Sequence, residues 1–236
     1  MLTALSLDAM SGNWDFAWGP TYLKALVRKL SYRLSACNCY DEHGGAPVFP
    51  AARVIERGPL RIGAIGLAAT GVDESMTPRF SEGIRLTSGI EERPGHIGRL
   101  RRDEGADVVV VLSHLGPPQD TKLAQMVRGI DVLLSGHTHN RLAAPSTIGD
   151  TLLIQPGCHA SSLEQIELDV PGGGGVGLRQ HTLVPIDHRI PEDAAKAALG
   201  DEASASLRAG LSGAAVIQTR RCTARRCWMR RWTISC

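Results

Sequence analysis

The stretch Asp131-Val-Leu-Leu-Ser-Gly-His-Thr-His-Asn140 decides both the fold and the chemistry. A short apolar run of strand length ends at Ser135-Gly136, and two histidines follow one residue apart, His137 and His139. In an extended segment alternate side chains share a face, so both imidazoles can point at one locus just past the strand end. Neutral imidazole is a common transition-metal ligand, and open α/β sheets place their chemistry at the carboxyl ends of strands. A polar turn that happens to hold two histidines is the alternative interpretation.

A second strand of the same form lies upstream. Asp107-Val-Val-Val-Val-Leu112 is a β-branched run typical of a strand buried on both faces, and it ends in Ser113-His114. Residues 90–104 have apolar residues at near-helical spacing, and Asp120 is predicted to cap a further helix. This alternation of strands and helices predicts parallel strands and an α/β fold.

The N-terminal region supplies a third polar cluster, Ser11-Gly-Asn-Trp-Asp15. Three such clusters, in the order Asn, His and His-x-His, resemble the calcineurin-like binuclear metallophosphoesterases, specifically the 5′-nucleotidase branch. The resemblance runs from about residue 5 to about residue 187. It implies a partial four-layer α/β/β/α metallophosphoesterase sandwich with mixed sheets.

The resemblance also implies the site. Asn13, His114 and His137 would bind one metal ion, His139 would bind the other, and Asn13 and His114 would act in catalysis. Two divalent ions, Mn or Zn, would share a water whose lowered pKa makes it a nucleophile towards a small-molecule phosphoester. Three further side chains are expected around these ligands: Trp14, Asp15 and His159.

One departure from the family lies at Trp14, where the family's Gly-Asn-His-Asp/Glu motif has its histidine. An indole N–H can donate one hydrogen bond but cannot shuttle a proton near neutral pH. A Gly-Asn-Trp spelling resembles the SoxB-type thiosulfohydrolases, which share the fold. Those enzymes release sulfate from a cysteine thiosulfonate on a sulfur carrier protein. This is the alternative function, with the carrier protein as the alternative partner.

A second departure concerns ligands that the family carries upstream of its Gly-Asn motif, an Asp-x-His and a bridging aspartate. Here that motif begins about ten residues from Met1, and the only Asp-x-His spelling nearby, Asp41-Glu42-His43, lies in a glycine-rich loop downstream. The chain is therefore expected to be a fragment that binds one metal ion or none. A third hypothesis follows, an inactive fragment that merely binds a metal ion or a partner.

Several local predictions accompany this interpretation. Pro20 is expected to begin a helix whose apolar stripe, including Tyr22 and Leu26, belongs to the core. Residues 48–67 predict a hairpin, and residues 68–89 an irregular stretch. Arg79 within it could clamp an oxyanion, or be a solvated loop residue. Cys158 is expected to be buried, and Glu164, where the family often has a glycine, to distort its strand.

The domain organisation is predicted as residues 1–190, an incomplete catalytic domain, residues 191–217, a helix and linker towards a missing C-terminal domain, and residues 218–236. This last segment is basic and predicted to be disordered, as the product of a frameshift. Residues 203–236 contain seven arginines and no acidic residue, so the net charge of +2 leaves −5 for the rest. An acidic body does not indicate nucleic-acid binding.

Other features of composition limit the functions further. The six cysteines show no disulfide framework. No run approaches the roughly 20 apolar residues of a membrane span. No signal peptide is visible, although intact relatives are usually periplasmic or extracellular.

Overall fold

The computed structural model describes residues 7–12, 14–171 and 175–211, and every side chain in these ranges except those of Trp14 and residues 206–211. The chain divides into two compact units, with the boundary between Pro191 and Glu192. Among the described residues, the smaller unit contains the helix at Ala194–Leu211, and the strands lie in the larger unit. The tail at residues 218–236, including its predicted disorder, lies outside the described residues.

The secondary structure follows the predicted alternation. The strands are β1 (Ala9–Met10), β2 (Arg33–Leu34), β3 (Cys39–Asp41), β4 (Ala52–Arg57), β5 (Leu60–Leu67), β6 (Ile84–Leu86), β7 (Val108–Ser113), β8 (Val132–Ser135), β9 (Ser146–Ile148), β10 (Thr151–Ile154), β11 (Ser162–Asp169) and β12 (Gly177–Pro185). The helices are α1 (Pro20–Val27), α2 (Val72–Ser75), α3 (Arg93–Arg102), α4 (Pro117–Met126) and α5 (Ala194–Leu211), with 3-10 turns at Trp14–Trp18 and Pro78–Phe80.

The main sheet has six strands in the order β4-β5-β7-β8-β10-β9. Its four inner strands are parallel, and the two edge strands β4 and β9 pair antiparallel with their neighbours. The hairpin predicted at residues 48–67 is therefore present as β4 and β5. A mixed sheet flanked by helices confirms the predicted α/β class. The parallel order matters for function because it brings the carboxyl ends of β5, β7 and β8 to one edge of the sheet.

The main core lies between this sheet and the helices α3 and α4. Leu100 of α3 and Leu123 of α4 are almost completely buried, and they pack in one cluster with strand residues such as Val109, Val111 and Leu133. Each fully buried branched side chain of this kind contributes about 1.5–3 kcal/mol relative to its exposed state. The strand ends are thus anchored by a tightly packed layer directly beneath them.

A second core cluster forms around Phe16, Leu23 and Phe49. Pro20 begins α1 as predicted, and Leu23 points into this cluster. The prediction that the whole apolar stripe of α1 belongs to the core is wrong, because Tyr22 and Leu26 are 55% and 41% exposed. The helix is only eight residues long, and only its inner side has a neighbour to pack against.

Three two-stranded sheets complete the larger unit, and two of them correct the sequence analysis. Residues 68–89 are not wholly irregular, since β6 pairs antiparallel with β3. Glu164 does not distort β11, which keeps continuous register with β12 from Ser162 to Glu167 before a bulge at Glu167/Leu168. The Glu164 carboxylate lies 2.9 Å from Nε2 of His181 on the facing strand, and this cross-strand contact accommodates the charge.

Within the described residues, no helix combines the length and the apolar character that crossing a bilayer would require.

Candidate metal centre

The pairing of β7 with β8 brings His114 and His137 together at the edge of the sheet. Strands β7 and β8 are parallel neighbours, and Ser113 stands opposite Ser135 at their carboxyl ends. His114 directly follows one strand and His137 follows the other, so the two rings come to a centroid distance of 5.2 Å with an interplanar angle of 61°. The structure therefore brings these two predicted ligands together.

His114 is poised as a neutral donor. Burial, followed by the nearby His137 and His139, lowers its pKa from 6.5 to about 4. A histidine with this pKa is uncharged at neutral pH, so one ring nitrogen offers a free lone pair to a metal cation. A cavity of about 260 Å³ opens beside this pair, lined also by Thr70, Gln119 and Thr138. A small ligand in this cavity can thus contact both imidazoles.

A buried carboxylate holds the two strand ends together. Oδ1 and Oδ2 of Asp120 accept hydrogen bonds from the hydroxyls of Ser113 and Ser135, each at 2.6 Å. Asp120 is 0% exposed, and burial raises its pKa while the serine hydrogen bonds lower it in part. The prediction that Asp120 caps α4 is wrong, because Gly116 occupies the cap position and no side chain caps the helix.

The sequence analysis missed this arrangement of two serines and a carboxylate. A signal was present, since both strands end in serine directly before a histidine or glycine-histidine motif. A helix cap can be predicted from neighbouring residues in the sequence. A carboxylate that bonds two strands at once can be predicted only when the pairing of those strands is known.

The backbone after β8 differs from the extended segment that the sequence predicted. His137 and His139 have φ angles of 75° and 60°, in the left-handed region that favours glycine. The alternation of side chains in an extended strand therefore does not apply here. His137 turns towards His114, whereas the ring of His139 lies 5.1 Å from that of His159.

The loop after β10 carries a second group of donor atoms. One ligand atom each of His139, Cys158 and His159 lie within 4.8 Å of one another. Cys158 is partly exposed, so the prediction of a buried thiol is wrong. His159 lies beside His139, and its place around the metal ligands stays a prediction.

The third motif is only partly visible. Asn13 and the side chain of Trp14 lie outside the described residues. The preceding Gly12 accepts a hydrogen bond from the backbone N–H of Ala69 at 3.3 Å, just past the end of β5. The motif's glycine thus lies at the same sheet edge as His114. A Cβ at Gly12 would come within 2.2 Å of Oδ2 of Asp15, so this carboxylate is packed directly against the motif.

The remaining candidates lie in other surroundings. Oδ1 of Asp41 accepts hydrogen bonds from the backbone N–H groups of His43 and Gly44, which ties this carboxylate to its own turn and lowers its pKa. The guanidinium of Arg79 lies 5.8 Å above the Trp18 ring and lines a separate groove of about 780 Å³.

The donor set fits a divalent transition-metal ion. His114 and His137 supply adjacent imidazoles, and His139, Cys158 and His159 supply two more imidazoles and a thiol. Such nitrogen and sulfur ligands are those of zinc and related ions, whereas oxygen ligands suit magnesium and manganese. The resemblance adds the amide oxygen of Asn13, which lies outside the described residues, as an expected ligand beside His114 and His137.

Comparison with known proteins gave consistent relatives, although no family model matches the chain. The trifunctional nucleotide phosphoesterase protein YfkN of Bacillus subtilis is 22% identical over 234 residues, covering 82% of this chain and 16% of that protein. A 5′-nucleotidase of Vibrio cholerae is 23% identical over 150 residues, covering 58% of this chain and 27% of that protein.

The fold comparison agrees with the sequence comparison. The solved structure of the Thermus thermophilus sulfate thiohydrolase SoxB is 28% identical with a TM-score of 0.77, covering 89% of this chain and 37% of that one. The chain spans about a third or less of the length of the first curated relatives that it matches. Sequence relatives and solved structures point the same way, to 5′-nucleotidases and calcineurin-like phosphoesterases, and the chain is similar to proteins of this family.

Proposed function

We propose that this chain is the site-bearing part of a metal-dependent hydrolase that acts on a small-molecule phosphoester. The observation that carries the proposal is the convergence of His114 and His137 at the ends of two adjacent parallel strands, beside a cavity. The relatives support it, since those compared by sequence are named as a nucleotide phosphoesterase and a 5′-nucleotidase.

In this proposal His114, His137 and Asn13 hold one divalent ion, and His139 contributes to a second. A divalent ion bound here supplies Lewis acidity and makes water nucleophilic near neutral pH. The protein's own groups do the positioning. The low pKa of His114 keeps its ring free of a competing proton, and the Asp120 carboxylate fixes the strand ends that carry both rings.

Polar groups in the cavity are suited to bind the substrate. The side chains of Thr70, Gln119 and Thr138 line the space beside the histidines and can donate hydrogen bonds to the oxygens of a phosphoryl group. In the predicted transition-state position, Trp14 can donate one hydrogen bond but no proton. The leaving group must then depart without acid assistance from this residue, which favours a stable leaving anion.

A SoxB-type thiosulfohydrolase is the second candidate, and a specific observation favours it. The solved SoxB structure is similar to 89% of this chain, and Gly12-Asn13-Trp14 matches the motif associated with those enzymes. In that hydrolysis water attacks the sulfonate sulfur, which becomes sulfate, and the carrier's sulfur anion is expelled. A sulfur anion is a better leaving group than a ribose alkoxide, so an acid at position 14 is dispensable for that substrate. The expected partner is then a sulfur carrier protein bearing a cysteine thiosulfonate.

The two candidates separate by product. Metal-free protein is supplied with Mn²⁺ or Zn²⁺ and offered 5′-nucleotides and an aryl phosphate, or a peptide carrying a cysteine thiosulfonate. Release of phosphate supports the phosphoesterase, and release of sulfate supports the thiosulfohydrolase. Elemental analysis of the same protein reports whether one ion, two ions or none is bound, independently of turnover.

Variants test the site itself. His114→Ala and His137→Ala should each abolish nearly all activity, whereas the exposed His188→Ala should retain it. Retained activity in either ligand variant would show that the site is misassigned. Protein that binds metal through His114 without releasing either product would instead support the inactive-fragment hypothesis.

A further inference from the structure

A group of three donor side chains stands beside the histidine pair and is not explained by it. His139 follows β8, while Cys158 and His159 lie in the loop after β10, and their ligand atoms all lie within 4.8 Å of one another. It is the one group of three or more His, Cys, Asp or Glu side chains with such spacing among the described residues. Tetrahedral zinc ligands lie about 3.3–3.6 Å apart, so the three donor atoms need to approach one another by at most about 1.5 Å to reach that separation.

The backbone that holds these side chains is strained. Among the described residues, four non-glycine positions have positive φ: His137, His139, His159 and Ala160. All four lie in the two loops that carry the donors. A non-glycine residue in this conformation is sterically strained, and such strain persists where the surrounding structure fixes it, often at ligand sites.

The two loops are fastened to each other. The backbone N–H of Leu142 donates to the carbonyl of Gln155 at 3.0 Å, and Arg141 forms an isolated bridge with Pro156. The N–H of Ser161 donates to the carbonyl of Cys158 at 3.0 Å, which closes the turn carrying the thiol. These contacts keep the imidazole of His139 and the donors of the second loop together without a metal ion.

We infer that His139, Cys158 and His159 form a binding site for a zinc-class divalent ion, separate from the His114–His137 pair. Two imidazoles and a thiolate are a borderline-soft donor set that prefers zinc or copper to magnesium or manganese. On binding, the thiol releases its proton to the solvent and its sulfur becomes a metal ligand. Since His139 and His159 are exposed, the fourth coordination position is open to solvent.

Of these three donors, the family resemblance assigned only His139 to a metal ion, so Cys158 and His159 are specific to this inference. The site stands whether or not the chain hydrolyses phosphoesters, because it uses neither His114 nor His137. Its occupation by zinc would give this chain a metal preference that differs from the one expected of nitrogen and oxygen ligands alone.

Cobalt spectroscopy of the full-length chain tests the inference. A background variant in which Cys222, Cys227 and Cys236 are serine removes the thiols outside the described residues. Titration of the metal-free protein with Co²⁺ should produce a thiolate-to-cobalt charge-transfer band in the near ultraviolet, which Zn²⁺ then removes by competition. Cys158→Ser should abolish the band, and His159→Asn should weaken zinc binding by roughly tenfold or more.

The controls separate this site from the His114–His137 pair. His114→Ala should leave the charge-transfer band unchanged, and so should the exposed His188→Asn. Cobalt binding without a sulfur band, or unchanged zinc affinity in Cys158→Ser, would overturn the inference. A further measurement needs no substitution at the site: Zn²⁺ should slow alkylation of Cys158 in the background variant, and an unchanged alkylation rate would also overturn it.

Discussion

Removal of the Asp120 carboxylate should show how strongly the strand ends depend on it. Asp120→Ala deletes two short hydrogen bonds, from the hydroxyls of Ser113 and Ser135 at 2.6 Å each, in a fully buried position. Each hydroxyl left without a partner costs about 1–3 kcal/mol. Part of this loss is offset, because the variant no longer buries a carboxylate. We therefore expect the free energy of unfolding to fall by about 3 kcal/mol, in line with the loss of one partner of a buried polar pair.

Asp120→Asn is the matched variant. Its amide oxygen can accept from one serine while its NH₂ group donates to the other, so the expected loss is about 1 kcal/mol. The exposed Asp103→Ala serves as the control, and its effect should stay within about 0.5 kcal/mol. Urea unfolding followed by far-ultraviolet circular dichroism measures all three variants. If Asp120→Ala unfolds within about 1 kcal/mol of the Asp103→Ala control, the reasoning is refuted.

The pH dependence gives an independent check. Burial raises the pKa of Asp120. An acid with a raised pKa in the folded state binds its proton more tightly there, so this contribution to stability is present at low pH and is lost as the pH rises through the folded pKa. Asp120→Asn does not titrate. The difference in unfolding free energy between wild type and this variant should therefore widen as the pH falls from neutral towards about 3.9. A constant difference would contradict the raised pKa.

Three further predictions concern other parts of the larger unit. Gly66→Ala should lower the free energy of unfolding by about 2 kcal/mol or more, since the new Cβ would lie 2.0 Å from the backbone oxygen of Ser35. Gly95→Ala should raise the free energy of unfolding by up to about 1 kcal/mol, because its new Cβ meets open space in α3. If urea unfolding showed that Gly66→Ala and Gly95→Ala both stabilise or both destabilise the protein, the packing around these two glycines would be contradicted. Asp131→Ala should lower the free energy of unfolding by about 3 kcal/mol, because the carboxylate accepts a hydrogen bond from the N–H of Val109 at 2.6 Å and pairs with Arg101. A loss as small as that of an exposed residue would show that these contacts do not stabilise the fold. Burial raises the pKa of Cys39 to about 12, so peptide mass spectrometry should find it alkylated far more slowly than Cys158 at pH 8 in folded, metal-free protein, and equal rates would argue against the burial.

Much of the sheet could be predicted from sequence because its signals are local. The β-branched run of β7 and the short apolar run of β8 are typical of buried strands, and the residues after them mark the sheet edge. Parallel pairing follows from the helix between them. The convergence of His114 and His137 follows in turn from that pairing, which is why two residues of the candidate site could be found without the structure.

The direction of His139 could not be predicted in the same way. The sequence argument assumed an extended backbone, whereas the chain adopts positive φ at both His137 and His139. The residues around His137 and His139 do not mark this conformation in the sequence, because non-glycine residues adopt it uncommonly. The role of Asp120 was hidden for a related reason. A carboxylate in the first turn of a helix ordinarily caps it, and only the register of two strands gives it serine partners.

The exposed side of α1 illustrates a different limit. Apolar periodicity identifies which residues share a helix face, but it does not say how wide the neighbouring surface is. Leu23 packs in the second core cluster, whereas Tyr22 and Leu26 lie outside it and are exposed.

One continuous segment of the chain contains β7, α4 and β8. Residues 108–137 contain both histidines of the pair, both serines that bind the central carboxylate, and that carboxylate itself. The geometry of the pair is thus encoded in one continuous segment rather than assembled from distant ones. Exchange of this segment between related chains should carry the pair along intact, and loops elsewhere can change in length during evolution without realigning it.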